Sequence, residues 1–150
     1  MKEINGTFLK PAGWHFAYNK GKLMGSFSIS RRAPKIGEPV GTRFIVYAVS
    51  NLSKIDSRLV SERIPSYVRS LKEHKDYDFM FSEDLTRGFY RGVSIRYRFQ
   101  SLDGHLVRQQ VYLANDQADL LLVVIFESSE EDWEQAWETG QVLLNNFVLS

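Results

Sequence analysis

The chain has 150 residues, 43% hydrophobic and 25% charged, which suits one globular domain with a buried core. A formal net charge of +1 lacks the basic excess on which generic nucleic-acid and anionic-membrane binders rely. The absence of cysteine excludes disulfides, iron–sulfur clusters, cysteine-rich zinc sites and thiol catalysis, and leaves the compartment open.

Met1–Thr7 is polar and lacks the apolar core of a signal peptide, and no run of eighteen apolar residues follows. The chain is therefore either a cytoplasmic protein or the mature part of an exported one. Phe8–Leu9 reads as a short strand, Pro11–Gly13 as a turn and Trp14–Phe16 as a second strand, with Trp14 and Phe16 expected in the core. Met24–Ser30 alternates with period two and puts Phe27 and Ile29 on one face. Arg31–Gly41 holds Pro34, Gly37, Pro39 and Gly41 and reads as a surface loop. Arg43–Val49 is a further strand. Asn51–Ile64 has helical spacing at Ile55, Leu59 and Val60 but runs into Pro65. Proline suits a helix's first turn and disrupts its interior, so the helix is placed at Pro65–His74, with Tyr67, Val68 and Leu71 facing inward.

The second half reads as a meander closed by a helix. Its strands are Tyr77–Phe81, Gly88–Gln100, His105–Asn115 and Asp119–Glu127, and the helix is Glu130–Phe147. Glu83 and Asp84 fall at a strand end. A three-residue loop at Leu102–Gly104, with Gly104 left-handed, sets Phe99 opposite Val107, Tyr97 opposite Gln109 and Ile95 opposite Val111, which gathers one apolar face. The other face then holds the candidate binding residues Arg96, Arg98, Arg108 and Tyr112, with Arg98 and Arg108 directly opposed. Like charges so placed are unfavourable. They call for an internal carboxylate, an anion or an acidic protein surface.

Leu120–Phe126 is apolar on both faces, which expects a position near the sheet centre with a cover on each side. The terminal helix supplies one cover through Trp133, Ala136, Trp137, Gly140, Leu144 and Phe147. Ser129 with Asp132 makes an N-cap arrangement, and Gly140 permits close contact with the sheet. The earlier helix covers the other face. The expected class is α+β, an α/β/α sandwich around an antiparallel β-sheet, with residues 1–150 as a single domain.

The ordered features resemble the PsbP-like superfamily, which also takes in the Mog and DcrB proteins. They are Phe8-Leu-Lys-Pro-Ala-Gly13-Trp14, the helix at Pro65–His74, the hairpin at Asp103-Gly104, Arg108-Gln109 and a Trp-bearing last helix ending in Asn146-Phe147. The resemblance implies the same sandwich and a non-enzymatic role in binding or assembly. It also implies bacterial members that are exported or lipid-anchored, and one branch of cytoplasmic chaperones for secretion effectors. It carries over no site residue.

The chemistry of the sequence agrees with a binding role. His15, His74 and His105 have no ligand spacing that links them, so no metal is expected. No nucleophile elbow, phosphate loop or dinucleotide fingerprint occurs, so no cofactor and no enzyme activity are expected. The reading is a bacterial, exported binding or assembly protein that meets a protein partner through a sheet face or the Arg31–Gly41 loop. The alternatives are a cytoplasmic chaperone that holds a partner's hydrophobic helix and a small-molecule-binding protein.

Overall fold

The computed structural model describes residues 6–7, 9–21, 24–33, 41–102 and 104–149. The strands are β1 (Gly6–Thr7), β2 (His15–Lys20), β3 (Met24–Ser30), β4 (Arg43–Ser50), β5 (Tyr77–Arg87), β6 (Tyr90–Ser101), β7 (Gly104–Asn115), β8 (Leu120–Ser129) and β9 (Val148–Leu149). The helices are α1 (Val60–Glu73) and α2 (Trp133–Asn146), with a short 3-10 turn at Leu52–Lys54. Strands β2 to β8 form one antiparallel sheet in the order β2-β3-β4-β8-β7-β6-β5, and β1 pairs with β9.

The all-apolar strand β8 is the middle strand, as its sequence requires, and a helix lies on each face of the sheet. Alternation along β6, β7 and β8 sorts the core into two layers. On the α2 side Phe44, Val111, Leu113, Leu122, Val124 and Phe126 pack against Ala136, Leu143 and Phe147. On the α1 side Val93, Ile95, Tyr97, Tyr112 and Leu121 pack against Val60 and Ile64, with Tyr67, Val68 and Leu71 also inward.

Several local expectations change. Helix α1 begins at Val60 rather than Pro65 because one distant and one local carboxylate serve the amides at its N-terminus. Asp116, in the β7–β8 turn, accepts the Ser61 N–H (2.8 Å) and the Ser61 hydroxyl (2.6 Å), and Glu62 accepts the Leu59 N–H (2.9 Å). Strand β5 runs on through Glu83 and Asp84 to a turn at Gly88–Phe89, so those carboxylates are mid-strand. It is an outer strand of the sheet with a bulge between Phe79 and Phe81, a position that tolerates polar side chains. Phe16 is 52% exposed, not core, whereas Trp14 packs on the α2-side layer. Phe8 lies outside the described residues, as do residues 34–40 of the proposed surface loop.

The β6–β7 register is also one residue from expectation. Ser101 pairs with Gly104, Phe99 with Leu106 and Tyr97 with Arg108, so two residues and not three separate the paired positions. Gly104 does take the positive φ (106°), but as the first residue of β7. The expected register rested on gathering apolar side chains on a single face. With a helix over both faces that criterion does not apply, and hydrogen bonds satisfy the inward polar groups.

Gly140 shows why α2 sits so close to the sheet. A β-carbon there would lie 2.6 Å from the ring of Phe126, which is fully buried. Gly140→Ala should gain about 1 kcal/mol of helix propensity but lose about 1–3 kcal/mol to overpacking. A net loss is expected in denaturant unfolding, and adding Phe126→Leu to Gly140→Ala should return part of it. A gain in stability for the single variant would show that the ring yields freely.

Candidate functional site

The structure divides the four residues singled out above between the two faces. Arg96 and Arg98 point to the α2 side, and Arg108 and Tyr112 to the α1 side, so Arg98 faces Val107 and Arg108 faces Tyr97. They form no common patch.

Each of the four has an internal partner. The guanidinium of Arg96 lies 4.7–5.0 Å from the rings of Phe81, Trp133 and Trp137, and its Nε donates to Gln109 Oε1 (2.8 Å). Burial in that cage pushes its pKa down. Arg98 spans Asp78 and Glu130, with Nε 3.0 Å and Nη1 2.9 Å from the two carboxylates. Those hydrogen bonds hold its pKa up. Arg108 belongs to a row that crosses four strands, Arg43–Glu127–Arg108–Tyr97. Glu127, 3% exposed, accepts from Arg43 Nε and from Arg108 Nε (2.7 Å), and Arg108 also donates to the Tyr97 hydroxyl (2.9 Å).

Tyr112 is 8% exposed, its ring 5.5 Å from that of Tyr67, and its hydroxyl accepts from Gln110 Nε2 (2.7 Å). Burial pushes its pKa up to about 12, and burial moves Tyr97 in the same direction. A folded pKa above the unfolded value near 10 adds stability that is complete below about pH 10. As pH rises from about 10 to about 12 the unfolded chain releases a proton that the folded chain keeps, and stability falls. A loss on the order of 2 kcal/mol is expected across that window in denaturant titrations, and it should shrink in Tyr112→Phe. A flat profile would show that the phenol ionises freely in the fold.

A different place has the geometry of a binding site. A groove of about 690 Å³ runs between α1 and the β5–β6 end of the sheet. Its floor is apolar, with Ile64 and Val93 buried and Val68 beside them. Its rim carries the exposed cations Arg69, Lys72 and Arg91 against one carboxylate, Asp84. Arg69 and Arg91 make no ion pair among the described residues, and the Lys72 ammonium lies 5.0 Å from the Phe79 ring centre. The local sequence explains the placement. Arg69 and Lys72 are three apart on the outer side of α1, and Arg91, two residues before Val93, lies on the same face of β6 at its exposed end. Only that i,i+3 cation pair was visible in the sequence.

Among the described residues no cluster of three His, Asp or Glu side chains could hold a metal ion, and no helix is long and apolar enough to cross a membrane.

No protein-family model and no curated protein sequence matches the chain. Solved structures do. LpqN of Mycobacterium tuberculosis, involved in cell envelope biogenesis, is 11% identical at a TM-score of 0.60, over 99% of this chain and 84% of its own. Cyanobacterial PsbP (CyanoP) from Synechocystis is 12% identical at 0.55, over 98% and 92%. The Ran-binding protein Mog1p of Saccharomyces cerevisiae is 14% identical at 0.54, over 97% and 96%. Together with the strand order and the helix on each face, these likenesses give the chain the PsbP/Mog-like α+β fold that its sequence led us to expect.

Proposed function

We propose that the chain is a non-enzymatic bacterial binding or assembly protein, exported from the cytoplasm, that docks an acidic segment of a protein partner in the groove beside α1. The observation that carries this reading is the groove's lining, an apolar floor under three cations and one carboxylate. Such a surface favours an extended segment with alternating apolar and acidic side chains, steered in by charge and held by burial. Strand β5 adds an open backbone edge next to the groove, since among the described residues it pairs only with β6. The Ran-binding Mog1p, itself a protein binder of this fold, supports a protein partner, and LpqN's role in the cell envelope supports export.

The test is capture of partners by the purified domain, compared with Arg69→Glu/Arg91→Glu and, as a control away from the groove, Arg98→Ala. The groove variant should lose capture by about tenfold or more, and raised salt should mimic it, while the control keeps it. Equal capture by the groove variant and the unaltered domain would remove the groove from the function.

A further inference from the structure

A second cavity, of about 290 Å³, lies on the opposite face, between the inner flank of α2 and strands β5–β7. That is the space of about ten water molecules at liquid density. Its polar lining is built in one direction. Arg96 has only donors, so the Gln109 oxygen faces it, and the Gln109 Nε2 therefore donates to Ser94 Oγ (2.6 Å). Both receiving residues are buried, Gln109 at 3% and Ser94 at 7% exposed. The Ser94 hydroxyl accepts from Gln109, and its own proton has no acceptor among the described residues. The donor chain thus ends at the cavity.

Charge narrows the ligand further. The cavity sees one carboxylate, Glu83, directly across the ladder from Ser94. It also sees Arg87, whose guanidinium is committed to the carbonyls of Leu144, Asn145 and Phe147, and it lies beside Arg96 in its aromatic cage. An anion meets Glu83 and finds both arginines engaged, while a cation meets two guanidinium groups. A neutral molecule that accepts from Ser94 and donates to Glu83 satisfies both, and a hydroxyl compound can do each. The remaining wall sets the apolar Val111, Leu113, Leu144 and the edge of α2 at Trp137 beside the neutral polar side chains of Thr86, Gln141 and Asn145, and suits a carbon skeleton that carries hydroxyls.

We propose that this cavity binds a small neutral polyhydroxyl ligand the size of one sugar ring, independently of the protein-docking groove. The test is a titration of the 15N-labelled domain with D-glucose, D-galactose and D-xylose, with D-glucuronate and D-glucosamine as charged counterparts. At least one neutral sugar should give saturable shifts at the Gln109 and Gln141 side-chain amides and the Trp137 indole, with affinity near the millimolar range. Ser94→Ala should weaken binding about tenfold or more. Gln141→Ala, at an exposed position of α2 that lines the cavity, should weaken it without touching the core. The proposal is overturned if no neutral sugar gives saturable shifts with the unaltered domain. It is equally overturned if the charged sugars bind more tightly, or if both variants bind as well as the unaltered domain.

Discussion

Replacing Glu127 with alanine is expected to cost about 3–5 kcal/mol of folding stability, the largest loss of any single substitution considered. Glu127 sits at 3% exposure on the central strand and accepts hydrogen bonds from arginines on both neighbouring strands. Removing its carboxylate leaves Arg43 and Arg108 facing each other across β8 with no counter-charge. Arg108 would keep only its bond to the Tyr97 hydroxyl. Replacing the whole row with apolar residues (Arg43→Met, Glu127→Leu, Arg108→Met) should recover most of the loss, because the cost lies in the stranded charges more than in the missing attraction. Chemical denaturation of the single and triple variants checks this. A Glu127→Ala loss under about 1 kcal/mol would show that water reaches the arginines, as in an exposed pair.

Arg87→Ala should cost about 2–3 kcal/mol through a different mechanism. From the end of β5, Arg87 reaches the C-terminus of α2 and donates to the carbonyls of Leu144 (2.7 Å), Asn145 (3.0 Å) and Phe147 (2.6 Å). These are last-turn acceptors with no partner inside the helix, and they sit at its negative end. The guanidinium also stacks 4.4 Å from the Phe147 ring, and burial pushes its pKa down. Arg87→Lys keeps the charge but not the fork, so it should recover less than half of the loss. Hydrogen exchange should show the effect first in the amides of the last turn of α2. Loss spread evenly over the sheet instead would mean that Arg87 serves the strand and not the helix.

Arg87 and Glu127 also show where sequence reasoning stops. Glu127 could have been noticed as the carboxylate that ends the apolar run Leu120–Phe126, but its two arginines come from positions 43 and 108. Arg87 lies 57 residues from the first carbonyl it serves. The groove beside α1 is legible in part, because Arg69 and Lys72 share one side of α1, yet Arg91 joins them only when α1 packs on the sheet. The arginine face expected from the sequence came from a hairpin register one residue off, and a shift of one residue moves every side chain of a strand to the other face. Helix α1 begins five residues before Pro65 because its start depends on Asp116 from a turn 55 positions away.

What the sequence determined by itself is the set of elements and their order. Alternation with period two marked β3 and sorted the faces of β6 and β7, the unbroken apolar run put β8 in the middle, and the spacing of Trp133, Ala136, Trp137 and Gly140 marked the inner face of α2. These are local signals, set by backbone geometry and by the burial that each segment needs. The tertiary structure alone decided register, ion pairing and the two cavities. Each of those depends on which distant side chains meet, and a charge or hydroxyl has the same local signature whether its partner is water or a buried carboxylate.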